Sequence, residues 1–214
     1  MKPALRGTLC ASAGLLVGAV AVWLLFCTGA VKAPGGASNP PAGAAETGAG
    51  SPLYAALEVA ECLRADDFAA LAAWVHPQKG VLFTPYSTVE FDKNLSFTDR
   101  EVALFAHDKT TYLWGVTDGE GKPIQLTPLE YVRRYVSDRD YACAPLAAVG
   151  SVLKQGNSVE NVAEAFSSGI FVELHIPQVD PKLEGLDWSS LKIVFEEYEG
   201  QLKVIALIHS QQTV

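Results

Sequence analysis

The stretch LKIVFEEYEGQLKVIALIH, residues 191–209, decides how the C-terminal half of this chain is read. Glu199 and Gly200 separate two runs rich in apolar and β-branched residues, and a two-residue connection ending in glycine makes a tight β-hairpin. With that turn as the fixed point, Phe195 faces Val204, Ile193 faces Ala206 and Leu191 faces Ile208. On the opposite side Glu196 meets Lys203 as a cross-strand ion pair. Just upstream, residues 170–176 alternate, with Phe171, Glu173 and His175 on one face and Val172, Leu174 and Ile176 on the other.

Working outward, the N-terminal half of the domain carries helical signals. Leu53, Leu57, Ala60 and Leu63 recur at helical spacing, and Asp66 stands where it caps a second helix with Phe68, Leu71, Ala72 and Val75 inward. His76-Pro77 ends that helix. Two capping boxes, Thr98 with Glu101 and Thr127 with Glu130, start short helices, the second with Pro128 at its first position. Between them residues 110–116 and 123–126 form a second hairpin around Asp118-Gly119-Glu120-Gly121. Residues 147–153 predict a further strand and 158–166 a short helix. The expected class is α+β: a curved antiparallel sheet with N-terminal helices packed on one face.

The remainder of the chain is not of this kind. Residues 7–31 carry no charge, long enough a run to cross a bilayer core, with Lys2 and Arg6 before it and Lys32 after it. That asymmetry predicts a cytoplasmic N-terminus and an extracytoplasmic domain. Three fates fit the segment 1–33: a retained transmembrane anchor, a signal peptide cleaved near Ala30 or Ala33, or a lipoprotein signal acylated at Cys27 behind a bulky Phe26. Residues 34–51 are an Ala/Gly/Pro linker with no large apolar side chain, so burial cannot offset their ordering entropy. The globular domain is then 52–214.

Of 16 basic and 24 acidic residues, Lys2, Arg6, Lys32 and Glu46 precede residue 52, leaving 13 against 23 and a domain net charge of −10. That balance argues against nucleic acid and anionic lipid as partners of the domain. Cys62 and Cys143 are its two cysteines; outside the cytoplasm they are a candidate disulfide, and otherwise two small apolar side chains.

The order of elements, ending in Asp187-Trp188-Ser189-Ser190-Leu191 and the long hairpin, resembles the nuclear transport factor 2-like (cone-shaped α+β barrel) superfamily. Val75-His76-Pro77-Gln78-Lys79-Gly80, Trp114-Gly115, Asp118-Gly119 and Asp138-Arg139-Asp140 are similar to a group of uncharacterised secreted or lipid-anchored proteins of Gram-positive bacteria. The first resemblance implies a pocket between sheet and helices and no particular activity, since such scaffolds host isomerases, dehydratases, hydrolases and binding domains.

Candidate chemistry is sparse. Glu173 and His175, two apart on one strand, form an acid–base pair if they face the pocket, with Tyr112, Trp114 and Phe171 as apolar walls. A structural ion pair beside an aromatic cluster is the alternative. Asp138-Arg139-Asp140 echoes the Asp-Arg-Asp sets of epoxide-opening enzymes on this scaffold, but contiguous residues cannot converge on one point, so local ion pairing is expected. His209 is expected opposite Ser190, and a Ser–His pair needs a third group and an oxyanion site. The four histidines are dispersed, and Asp180, Glu184 and Asp187 do not follow a calcium-loop pattern, so no metal and no cofactor is expected. The function expected is an extracytoplasmic, membrane-tethered or secreted binding domain for a small-molecule or protein ligand. The alternative is a hydrolase or isomerase using Glu173 and His175.

Overall fold

The computed structural model describes residues 50–213. The expected signal or anchor segment and nearly all of the linker lie outside the described residues. Among the described residues no helix is long and apolar enough to cross a membrane. Helix α1 (Pro52–Arg64) starts where Ser51 accepts the Tyr54 N–H and Pro52, having no N–H, needs no acceptor. Its buried stripe is Ala56, Val59, Ala60 and Leu63. Helix α2 (Phe68–Trp74) is capped by Asp67. Asp66, expected as that cap, instead turns the chain at φ 52° and pairs with Arg133 at 2.6 Å.

Strands β1 (Val81–Thr84) and β2 (Leu95–Phe97) follow, then α3 (Asp99–Val102) with its capping box of Thr98 and Glu101. Strands β3 (Tyr112–Val116) and β4 (Pro123–Leu126) form the expected separate hairpin. The second capping box opens α4 (Pro128–Tyr131), which runs on into a π-helical turn, Val132–Val136. Strand β5 (Leu146–Val149), α5 (Val162–Ala165), β6 (Ile170–Ile176), β7 (Ser189–Tyr198) and β8 (Gln201–Gln211) complete the chain.

Six strands form one sheet in the order β2-β1-β8-β7-β6-β5. The sheet is mixed, which corrects the antiparallel expectation: β1 runs parallel to β8, pairing Phe83 with Leu207. No short turn links those two strands, so nothing local in the sequence prescribes their relative direction. The helices are also not confined to one face. α1 and α2 pack with Phe83, Leu174, Leu191, Ile193 and Phe195 on one face. α5 and its neighbour Phe166 pack with Leu82, Phe171, Val194 and Ile208 on the other. With both faces covered, β6 to β8 are buried nearly throughout.

The hairpin turn forms as read, with Glu199 and Gly200 at φ 52° and 75°, both in the left-handed region that a tight hairpin demands. Phe195 pairs with Val204 and Glu196 with Lys203. One step further the register shifts: Val194 pairs with Ala206, leaving Ile205 as an extra residue on β8. Ile193 therefore faces Leu207, and Leu191 faces His209, each one residue beyond the expected partner. The expected ion pair also rearranges. Glu196 takes Lys79 at 2.6 Å, while Lys203 donates to the Ala73 carbonyl.

The space between helices and sheet, where the resemblance implies a pocket, is filled by aromatic rings. Trp114 stacks on Tyr131 at 3.7 Å between centroids, and Phe83 meets Phe97, Phe105, Trp114 and Tyr131 edge-on or tilted. Cys62 carries a free thiol, so no disulfide joins it to Cys143 here.

Phe195 is fully buried, whereas Glu196 sits in a part-exposed pair. In urea denaturation Phe195→Asp should lose about 3–5 kcal/mol, because an unpaired charge enters the core. Glu196→Ala should lose about 0–1 kcal/mol. Equal losses would contradict the assignment of faces.

Candidate functional site

Three polar arrangements surround the sheet. The first holds Glu173 and His175. Strand alternation puts them on one face as expected, but on the face away from α1 and α2, the face on which α5 packs. Glu173 is fully buried and His175 is 4% exposed. Glu173 Oε2 accepts the Leu153 N–H at 2.8 Å, and Oε1 has no partner. His175 Nδ1 lies 2.7 Å from Ser190 Oγ, with its ring 5.7 Å from that of Trp188. Burial pulls the His175 pKa below its ordinary value; Glu173 pushes it up, and Lys154 and Lys192 push it down. Beside them, Lys192 is fully buried with its ammonium on Ser210 Oγ and 2.7 Å from Glu160. Of the expected pocket walls, Phe171 shares this face, while Trp114 and Tyr112 belong to the core on the other.

The second arrangement is brought together by the bulge at Ile205. Because His209 pairs with Leu191 and not Ser190, it turns to the helix-covered face. There His209 Nε2 lies 3.1 Å from Ser189 Oγ and 3.6 Å from Asp138 Oδ1. Tyr141 donates to Asp138 at 2.7 Å and lies 2.6 Å from Ser189 Oγ. Asp138 is thus the third group that a Ser–His pair lacked in the sequence. The geometry is not that of a nucleophile relay. Such a relay needs the acid on one ring nitrogen and the serine on the other, whereas here both share Nε2 and Nδ1–H donates to the Pro85 carbonyl at 2.9 Å. Burial works against the Asp138 charge, but bonds from His209, Tyr141 and Ser189 outweigh it and hold the carboxyl below its usual range. The cluster ties the turn after α4 to the ends of β7 and β8. The local ion pairing expected within Asp138-Arg139-Asp140 is not what forms: Arg139 donates to the Asp138 backbone carbonyl, and the Asp138 carboxylate is taken up by Tyr141, Ser189 and His209.

The third is an open cleft of about 690 Å³. It is lined by the β3–β4 hairpin, from Leu113 to Asp118, by residues 157–159, and by Pro85, Tyr86, Thr88, Glu90, Lys93 and Asn94. Leu113, Val116 and Val159 expose 54%, 55% and 66% of their surface at its lip. Thr88, Asn94, Thr117, Asn157 and Ser158 supply neutral polar groups, and the charges at the rim, Lys93 and Glu90, neutralise each other at 2.6 Å. Asp118 is tied down by Thr213 Oγ1, and its N–H donates to the Tyr86 hydroxyl. An apolar concavity with a few polar groups converging from separate segments is the usual form of a ligand site. A second groove, about 740 Å³ beside the β7–β8 turn, is lined by Tyr54, Trp74, Ile170 and Leu202 but has fewer converging polar groups. Trp114, expected in a pocket wall, lines this cleft, whereas nothing in the sequence pattern marks the exposed lip. Leu113, Val116 and Val159 lie in short or irregular segments where alternation gives no facing.

No protein-family model matches the chain, and no curated protein does. Three solved structures are similar in part. A Rd1NTF2_05 variant shares 11% identity, covering 73% of this chain and 95% of its own, with a TM-score of 0.33. A structure from Xanthomonas campestris, described as a calcium/calmodulin dependent protein kinase II association domain, shares 9% over 74% and 84%, with a TM-score of 0.32. Aln2 from a Streptomyces species shares 9% over 74% and 84%, with a TM-score of 0.30.

The His175 environment predicts a pH dependence. The unfolded chain takes up a proton near pH 6.5, while the folded site resists it to lower pH. The unfolded state then holds more protons, so stability should fall as pH drops below about 6.5. His175→Gln should flatten the decline between pH 7 and 5 in chemical denaturation. An unchanged profile would remove His175 as its source.

Proposed function

We propose that this chain is an extracytoplasmic binding domain on a membrane tether, and that its ligand sits in the cleft between the β3–β4 hairpin and residues 157–159. The observation that carries the reading is the filled interior. Trp114, Tyr131 and Phe83 occupy the place of a central pocket, while an apolar, polar-dotted concavity stays open outside it. The catalytic alternative would need Glu173 and His175 to meet a substrate, and both are buried, Glu173 bonded by the Leu153 N–H and His175 held between Ser190 and the Trp188 ring. The kinship with secreted or lipid-anchored proteins of Gram-positive bacteria belongs to the same proposal. Three residues of the motifs behind it, Trp114, Gly115 and Asp118, line the cleft. The tether rests on the uncharged run 7–31 and the acidic domain beyond it.

The ligand class favoured is neutral and amphipathic. Apolar lips call for apolar surface, hydroxyl and amide side chains call for hydrogen-bonding groups, and the acidic domain disfavours anions. A thermal-shift screen of such compounds on residues 51–214 should yield ligands whose stabilisation vanishes in Leu113→Glu and Val159→Asp proteins. Ligands that bind both variants undiminished would place the site elsewhere.

The tether has its own check. Residues 1–50 fused to a reporter enzyme active only outside the cytoplasm should give activity. Activity solely from a reporter that works inside the cell would refute an extracytoplasmic domain.

A further inference from the structure

Residues 150–161 contain no helix or strand, yet they cross the outer face of the sheet and supply one wall of the cleft. Apolar burial does not hold them there. Val152, Leu153 and Val159 are 38%, 41% and 66% exposed, and the first well-buried apolar residue is Val162. Polar attachments do the work. Leu153 N–H donates to Glu173, Asn157 donates to the Thr213 carbonyl at 2.6 Å, and Thr88 donates to the Val159 carbonyl at 2.8 Å. Asn161 exchanges two bonds with the Val89 backbone. Gly156 lies so close to the sheet that a Cβ there would come within 2.6 Å of the Gln211 carbonyl.

One attachment differs in kind. The Lys192 ammonium is completely buried in the middle of β7, and the carboxylate facing it at 2.7 Å belongs to Glu160, next in sequence to the cleft residue Val159. A buried ammonium stripped of its carboxylate is costly, and the surrounding chain must then open to let water in. Seating of residues 150–161 and neutralisation of Lys192 are therefore one event.

We propose that Glu160 and Lys192, neither of which lines the cleft, are positioning residues for ligand binding: their ion pair latches the strap 150–161 onto the sheet and thereby sets the cleft wall Asn157, Ser158 and Val159. The proposal rests on the cleft reading above, but the latch has a ligand-free signature. Glu173, opposite Lys192 in the strand register with Oε1 unpartnered, is the competing carboxylate. If it took over Lys192, the latch would be dispensable.

Hydrogen exchange on the full chain decides between these. In Glu160→Gln, amides of residues 151–161 should exchange about ten-fold or more faster, with β6 to β8 unchanged, since only the strap opens. In the double variant Glu160→Leu with Lys192→Met both members of the pair are replaced by apolar side chains, so neither is left without its partner, while Glu173 keeps its bond from Leu153 N–H, and strap protection should return to within about three-fold of the parent. Nile red, a neutral apolar dye, probes the cleft. The part of its binding that Leu113→Glu removes should weaken at least about five-fold in Glu160→Gln and recover in the double variant. Unchanged strap exchange in Glu160→Gln overturns the latch. A freed strap with undiminished cleft binding of the dye overturns the positioning role. Dye binding indifferent to Leu113→Glu overturns the cleft reading, and strap exchange then decides the latch alone.

Discussion

Burial of both faces of the β7–β8 hairpin is the constraint on which the domain depends. The two central strands pair along ten rows, and each face must be covered by something. α1, α2 and the aromatic cluster of Phe83, Trp114 and Tyr131 cover one. The short α5, Phe166 and the strap cover the other. Apolar side chains finish the first cover with close packing. The second meets a sheet face that carries Glu173, His175, Lys192, Ser190 and Ser210, so its cover is fastened by hydrogen bonds and an ion pair. That division of labour leaves a rigid core on one side and a polar-fastened strap on the other.

The bulge at Ile205 sets which chemistry appears on which face. Side chains alternate with period two, so one extra residue on β8 exchanges the facing of everything beyond it. Ile208 and Ser210 go to the strap side, and His209 goes to the helix side, where Asp138, Tyr141 and Ser189 enclose it. A Ser, a His and an Asp thus gather without forming a relay, because Pro85 occupies the nitrogen that an orienting acid would need. The network joins chain segments far apart in sequence, and it joins them at the end of the sheet that the cleft loops also use, through Pro85 and Tyr86.

Much of the local structure was legible because local rules govern it. Both capping boxes, the Glu199-Gly200 turn, the β3–β4 hairpin and the alternation of β6 follow from neighbours a few residues apart, and each appears where those rules place it. The register read from the turn held as far as Phe195 and Val204, and failed where the bulge begins. The site was less legible. Glu173 and His175 were rightly paired on one face, but alternation does not say which face looks toward the helices.

By itself the sequence determined the α+β class, the hairpin turns and the starts of the two helices opened by capping boxes, because hydrogen-bond geometry and backbone sterics fix these within a few residues. It also determined the acidity of the domain and the uncharged character of residues 7–31. Only the tertiary structure decided the parallel pairing of β1 with β8, the closing of the interior by stacked rings, and the meeting of Glu160 with Lys192. Those contacts join residues from 17 to 124 positions apart. Their energies are spread over many packing partners, so no short stretch of chain encodes any one of them.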